Sequence, residues 1–168
     1  NPVIKRIVVV VDVLAVAVYA GIKLQSIEHS KSDGGFIQTP AIDECSGLVA
    51  SRRNINIVWT HNDSGGEARI FALTEKGVLR GVFDIEGIEA IDWEAITTDL
   101  DGHLYIGDMG NNRNKRDDLV IYQVADPLVA SHGPITEGQI PVINRIPFHY
   151  PEQVKFPDHD HMNFDAEA

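Results

Sequence analysis

The chain has 168 residues, 43% of them hydrophobic, which is enough apolar material for one globular domain with a packed core and excludes a disordered chain. It carries 14 Lys and Arg residues against 25 Asp and Glu residues, for a formal net charge of -11. This charge opposes binding to nucleic acid phosphates or to an anionic membrane surface, so cations, neutral glycans and proteins are the favoured partners.

The N-terminal segment has the pattern of an export signal. Lys5 and Arg6 precede an apolar run that reaches Ala20 and contains one carboxylate, Asp12. A carboxylate inside a membrane-crossing segment costs about 3 kcal/mol, which weakens an uncleaved anchor without excluding it. We therefore predict that residues 1–24 are a hydrophobic helix serving as signal peptide or membrane anchor, with an apolar element of the folded domain as the alternative. The protein is then exported to the periplasm, the cell envelope or the medium, and any membrane contact runs through this segment.

Residues 25–39 are rich in Ser, Lys, Asp and Gly, which is typical of a linker, and the folded domain is predicted to span residues 40–168. Cys45 is the single cysteine of the chain, so no intrachain disulfide can form. Its apolar neighbours favour a small buried residue over a reactive nucleophile.

The domain is predicted to contain strands and no helix. Its apolar residues fall in short runs bounded by Gly, Asn and Asp, which is typical of closely spaced strands joined by tight turns. The predicted strands form two groups of four, with a long surface loop at 126–141: residues 46–51, 57–61, 69–74 and 78–85, then 94–98, 103–107, 119–124 and 142–148.

The two groups are copies of one repeated unit. Residues 59–65 return in altered form at 104–110, and residues 91–95 return at 164–168. Repeats of roughly 40 to 50 residues made of strands and turns are typical of β-propeller blades. We therefore predict an all-β fold, a partial β-propeller with about two four-stranded antiparallel blades and the first strand of a third. Because a propeller needs about 4 to 8 blades to close, the sequence is expected to be a fragment of a longer protein.

Three glutamates occupy the same predicted position in the repeat, at the start of the first strand of each unit: Glu44, Glu94 and Glu167. First strands line the central channel of a propeller, so these carboxylates are expected to converge and to need a cation such as calcium. The alternative is structural, with each glutamate accepting hydrogen bonds from a neighbouring blade or pairing with an arginine.

The turns after the second strands carry further candidate ligands: Asn62 and Asp63 in the first unit, and Asp108 and Asn111 in the second. Such side chains commonly satisfy backbone N–H groups in tight turns, and this structural role is the favoured interpretation. Their oxygens are also suitable calcium ligands, although neither run fits the Asp-x-Asp-x-Asp-Gly calcium loop.

His159 and His161 would share one face of a strand, as two zinc ligands do, with Asp165 beyond them. No third His or Cys lies at a supporting spacing, which disfavours zinc. The sequence also lacks the motifs of nucleophilic hydrolases, nucleotide-binding loops and zinc proteases. Trp59 and Trp93, each beside a repeat motif, are predicted to be core residues, with sugar stacking as the alternative.

The repeat motifs at residues 59–66, 92–96, 105–113 and 164–167 resemble those of bacterial exported proteins of uncharacterised activity with a TolB-like six-bladed β-propeller. The resemblance covers residues 44–168. It implies a distant likeness to calcium-dependent phytases, lactonases and esterase-like propellers, whose sites lie at the channel mouth, and to interaction scaffolds such as TolB.

Two functions follow as hypotheses. The first is an exported or envelope-associated scaffold that binds a protein or small-molecule partner. The second is a calcium-dependent hydrolase of phosphoester, ester or lactone substrates at the propeller channel.

Overall fold

The computed structural model describes residues 34–160 and 164–166. The predicted N-terminal helix, residues 25–33 of the predicted linker, and the candidate ligands His161 and Glu167 lie outside these ranges. Within the ranges, no helix is both long and apolar enough to cross a membrane.

Regular structure in the described ranges consists of eight β-strands and no helix. The strand bounds agree with the predicted ones to within one residue, except at the start of the last strand. The strands are β1 (Cys45–Ala50), β2 (Ile57–Asn62), β3 (Arg69–Thr74), β4 (Leu79–Glu86), β5 (Trp93–Thr98), β6 (His103–Asp108), β7 (Val120–Ala125) and β8 (Thr136–Pro147).

The strands form where apolar residues alternate and where glycines permit tight turns. In β4, Gly81, Phe83 and Ile85 are buried while their neighbours are partly or fully exposed, as expected for a strand with one face on the core. Gly77 lies in the β3–β4 turn with φ of 78°, a conformation that side chains other than Gly adopt with strain.

The eight strands make one sheet with the order β1-β2-β3-β4-β8-β7-β6-β5. Neighbours within each group of four pair antiparallel, whereas β4 and β8 pair in parallel and join the two groups. The first half of β8 pairs with Gly81 to Glu86, and its second half pairs with β7.

The predicted loop at 126–141 is therefore wrong in its second part. Thr136 to Pro141 is strand, because the outer edge of β4 supplies a hydrogen-bonding partner that the sequence pattern does not reveal. Thr136 to Gln139 lack the apolar alternation that identifies a strand from sequence, since three of these four residues are exposed.

The sheet curls until its two edge strands approach each other and it nearly closes. Ser46 Oγ of β1 donates a hydrogen bond to the backbone oxygen of Glu94 in β5, at 3.3 Å. Both tryptophans lie inside, Trp59 with 0% and Trp93 with 1% of the side chain exposed. Trp59 meets Phe83 edge to face with ring centroids 5.7 Å apart. The predicted role of both tryptophans in the core is confirmed.

A buried carboxylate, Asp126, fixes the loop between β1 and β2. It is fully buried at the end of β7, where the alternative to hydrogen bonding would be a costly desolvated charge. Its oxygens accept hydrogen bonds from Ser51 Oγ, the backbone N–H groups of Arg52 and Arg53, Asn54 Nδ2 and Trp59 Nε1.

The predicted first strand of a third unit begins at Glu167 and lies outside the described residues. Phe164 to Ala166, which precede it, have no regular structure, and the Phe164 N–H donates to Asn114 Oδ1 at 2.7 Å. The predicted burial of Cys45 is wrong: Cys45 is exposed, because it begins an edge strand, although its Sγ lies 3.0 Å from Thr60 Oγ1.

Candidate functional site

Three carboxylates converge at the junction between the two groups of strands. Asp63 follows β2, Asp92 precedes β5, and Glu94 is the second residue of β5. Each offers one carboxylate oxygen, and these three oxygens lie within 4.8 Å of one another. We refer to Asp63, Asp92 and Glu94 as the acidic cluster.

Backbone hydrogen bonds hold the acidic cluster in place. The Trp93 N–H donates to the backbone carbonyl oxygen of Asp63 at 3.0 Å, and Ser64 forms an isolated antiparallel bridge with Asp92. The backbone carbonyl oxygen of Asp92 accepts hydrogen bonds from the N–H groups of Met109 and Gly110 at 3.0 and 3.1 Å. The end of β2, the start of β5 and the end of β6 are thus tied together, so the carboxylates do not depend on flexible loops for their approach.

Gly110 provides the space in which two of the carboxylates meet. A Cβ atom at this position would overlap the carboxylate of Asp92 and Oε1 of Glu94. Glycine is therefore required at this position because the two carboxylates approach its backbone closely, and any side chain there would displace the acidic cluster.

Glu94 reaches the junction because it lies at a β-bulge. The register of β5 against β6 skips Glu94, between Trp93 and Ala95, and the extra residue of a bulge re-aims its side chain. The register of β1 against β2 skips Gly47 in the same way. The strand register therefore does not match the predicted equivalence of Glu44 and Glu94, and Glu44 is exposed.

The acidic cluster is electrostatically strained. Burial raises the pKa of Asp92 above its ordinary value, and the charge of Asp63 raises it further, while Arg116 acts in the opposite direction. Asp63 Oδ1 is shielded from solvent and has no hydrogen-bond partner among the residues that the structure describes. A buried acceptor without a partner costs about 1–3 kcal/mol.

Asp108, predicted as a ligand, performs a structural task. It is fully buried, and its carboxylate accepts hydrogen bonds from the N–H groups of Ile91 and Asp92. Arg116 Nη1 lies 2.7 Å from Asp108 Oδ1 and its Nε lies 2.8 Å from Asp118. Burial opposes the guanidinium charge, but these two carboxylates outweigh it and raise the pKa of Arg116.

Asn111 also forms hydrogen bonds that connect neighbouring segments. Its Oδ1 accepts from the Arg116 N–H at 2.9 Å, and its Nδ2 donates to Gln153 and to the Phe164 oxygen. Asn62 donates from Nδ2 to the Ala41 oxygen at 3.0 Å. Its Oδ1 is buried and unpartnered within the described part of the chain.

A buried histidine lies behind the acidic cluster. His61, the last but one residue of β2, is fully buried and meets Trp93 edge to face with ring centroids 5.6 Å apart. Its Nδ1 is 2.8 Å from the Asn62 oxygen. Burial lowers the pKa of His61, so the ring is held neutral.

A cavity of about 320 Å³ opens beside the acidic cluster. Asp92 and Gly110 line it together with Arg113, Lys115 and Arg116, and we refer to these three basic residues as its cationic wall. The site thus combines a carboxylate group with a cationic wall.

Of the two zinc candidates, His159 alone lies within the described residues. His159 is exposed, and the neighbouring Asp160 pairs with Lys155 at 3.0 Å.

Sequence reasoning brought Asp63 and Glu94 forward but missed Asp92, Gly110 and Arg116. Asp92 carried a usable signal, since it belongs to the repeated stretch 91–95 in which Glu94 was selected. Gly110 ends the repeated stretch 104–110, but its contact with Asp92 and Glu94 and the role of Arg116 depend on which side chains the fold brings beside them.

Comparison of the chain with models of protein families, with curated proteins and with solved structures found no match.

Proposed function

We propose that this protein is a binding scaffold whose ligand site is a divalent-cation site formed by Asp63, Asp92 and Glu94. The observation that carries the proposal is the approach of their three carboxylate oxygens to within 4.8 Å of one another. The buried, unpartnered Oδ1 of Asp63 supports it independently, since a desolvated carboxylate oxygen gains most from a cation.

Calcium is the cation that suits these ligands best. Calcium binds oxygen at 2.3–2.6 Å, so two oxygens on opposite sides of one ion lie roughly 4.6–5.2 Å apart. The three carboxylate oxygens lie within 4.8 Å of one another, so one ion of this size can contact all three. Zinc prefers nitrogen and sulfur ligands at shorter distances, and the three candidate ligands supply oxygen alone.

We further propose that the two groups of strands are neighbouring blades of a β-propeller. The approach of β1 to β5, with Ser46 bonded to Glu94, supports this proposal because first strands lie innermost in a propeller. The β4–β8 pairing joins the outer strands of the same two groups. The acidic cluster then lies between adjacent blades, close to the channel.

A calcium-dependent hydrolase is the second candidate. The cavity beside Asp92 favours it, since a substrate could reach the cluster from there. When bound, a calcium ion would polarise a phosphoester, ester or lactone oxygen. The residues of this chain would orient the substrate through the cationic wall of the cavity and hold the ion through the acidic cluster.

Export is proposed from the sequence of residues 1–24 alone. The acidic composition, with a net charge of -11, supports a partner other than nucleic acid. N-terminal sequencing of the protein recovered from the periplasm, the envelope and the medium would test export and show whether the segment is removed.

Calorimetric titration of calcium chloride into the full chain tests the cation site. We expect saturable binding that is abolished in Asp92→Asn and retained in Glu75→Gln, which removes one exposed carboxylate from the β3–β4 turn. Binding of equal affinity in both variants would refute the site.

A panel of phosphoester, ester and lactone substrates then separates scaffold from hydrolase. Turnover that needs calcium and is lost in Asp92→Asn would establish the hydrolase. Calcium binding without turnover across the panel would favour the scaffold.

A further inference from the structure

The cavity beside the acidic cluster gathers positive charge in an acidic protein. Among its nine lining residues, Arg113, Lys115 and Arg116 are basic and Asp92 is the one carboxylate, whereas the whole chain has 14 basic and 25 acidic residues. Arg113 and Lys115 are exposed and form no ion pair with any residue in the described ranges. Their charges are therefore available to a ligand.

Arg116 adds a fixed charge with an unused donor. Its side chain is 7% exposed, its Nε and Nη1 are bound to Asp118 and Asp108, and Nη1 also donates to the Gly110 oxygen. Its Nη2 is shielded from solvent and has no hydrogen-bond partner within residues 34–160 and 164–166. Arg116 lines the cavity, so its charge contributes to the potential there, although Nη2 itself is enclosed by protein.

Hydrogen bonds of buried amide side chains hold the β6–β7 loop, which carries these cations, in a fixed conformation. Asn111 accepts from the Arg116 N–H at 2.9 Å, and the Asn114 N–H donates to the Asn111 oxygen at 2.7 Å. Gln153 donates to the Asn114 oxygen at 2.8 Å, and all three of these amide side chains are buried. The basic residues are therefore presented on a preorganised loop, which lowers the entropic cost of binding.

From this arrangement we infer that the cavity is an oxyanion pocket: it binds the phosphoryl or carboxylate group of a small ligand through Arg113, Lys115 and Arg116. Ser64 and Asn112, which also line the cavity, are suited to donate further hydrogen bonds. The inference deepens the proposed function and rests on it for one feature, the coupling of the anion to the cation.

The coupling follows from the position of Asp92. This carboxylate belongs to the acidic cluster and also lines the cavity, so its charge repels an entering anion. A cation on the acidic cluster neutralises that repulsion, and the anion in turn strengthens the field that holds the cation. By linkage each ligand raises the affinity for the other by the same factor.

The test uses phenyl phosphate and benzoate, which carry the two oxyanions on the same ring, and benzamide as the neutral control. Each is titrated into the full chain with calcium present and with calcium removed by EGTA. We expect binding of at least one anion, about tenfold tighter with calcium than without, and no binding of benzamide. The anion that binds with the lower Kd identifies the class of ligand, phosphoryl or carboxylate.

The variant pair isolates the pocket. Arg113→Gln/Lys115→Gln removes both exposed cations, and Arg52→Gln/Lys76→Gln makes the same charge change at exposed residues outside the cavity lining. The first is expected to weaken anion binding by about tenfold or more, while the second leaves it unchanged.

The outcomes separate the two proposals. Calcium binding with no anion binding, or anion binding equal in both double variants, overturns the pocket and leaves the cation site intact. Anion binding that is lost in Arg113→Gln/Lys115→Gln but insensitive to EGTA supports the pocket and overturns the coupling. Calcium affinity measured alone in the Arg113→Gln/Lys115→Gln variant should be equal to or tighter than that of the wild type, because two positive charges beside Asp92 are removed.

Discussion

Replacing Asp63 with Asn should have opposite effects on the metal-free protein and on its response to calcium. Asparagine keeps the shape of the side chain and removes one of the three charges in the acidic cluster. Because Asp63 Oδ1 has no partner among the described residues, the change removes no hydrogen bond at that atom. What it removes is repulsion from Asp92 and Glu94.

The size of this effect can be worked from the geometry. The three oxygens lie within 4.8 Å of one another. Two unit charges at that distance repel by about 3.5 kcal/mol at an effective dielectric constant near 20. Solvent screening at a partly exposed site reduces this, so we expect Asp63→Asn to stabilise the metal-free protein by about 1–2 kcal/mol.

The calcium response should change in the other direction. A ligand at 100 times its Kd raises the free energy of unfolding by about 2.7 kcal/mol, and Asp63→Asn should lose most of this gain. Urea unfolding at neutral pH, in EGTA and in calcium chloride at matched ionic strength, measures both effects. Glu75→Gln makes the same charge change at the opposite end of β2 and β3 and should alter neither.

Two results would refute this reasoning. If metal-free Asp63→Asn is less stable than the wild type by about 1 kcal/mol or more, the carboxylate is a structural hydrogen-bond acceptor. If the variant keeps the full calcium response, the acidic cluster is not the site at which calcium acts.

Three further substitutions test the roles of Gly110, Asp126 and His61. Gly110→Ala should abolish calcium binding and lower the free energy of unfolding by about 1–3 kcal/mol, because its Cβ would overlap the Asp92 and Glu94 carboxylates. Gly66→Ala, with open space around its Cβ position, should retain calcium binding. Calorimetry measures the binding and urea unfolding measures the stability. Asp126→Ala leaves several buried donors unpaired and should cost about 3 kcal/mol or more in urea unfolding, with Asp126→Asn intermediate and equal stability of all three proteins contradicting the assigned role. Burial holds the pKa of His61 below its ordinary 6.5, so below about pH 6.5 the unfolded chain binds a proton that the folded chain does not, and the free energy of unfolding should fall as pH decreases. His61→Gln should reduce that slope; an unchanged slope would contradict the assignment to His61.

Local sequence patterns predicted the strands and the burial of the two tryptophans. Alternating apolar residues give a strand one buried face whichever neighbours it later acquires, and glycine in a tight turn is needed for local backbone reasons. The ends of β3 and the burial of Trp59 and Trp93 were therefore predictable. The first half of β8 was not, because its pairing depends on an edge strand distant in sequence.

The composition of the candidate site was decided by the tertiary structure. The repeat predicted that Glu44 and Glu94 occupy equivalent positions. A bulge at Glu94 and the curling of the sheet instead determine which carboxylates meet. Asp108 forms an ion pair with Arg116 and does not join the acidic cluster, and the missing side chain of Gly110 leaves space for the Asp92 carboxylate. Repetition in a sequence records which strands are alike, whereas convergence of side chains depends on how far the sheet curls, and no local pattern carries that information.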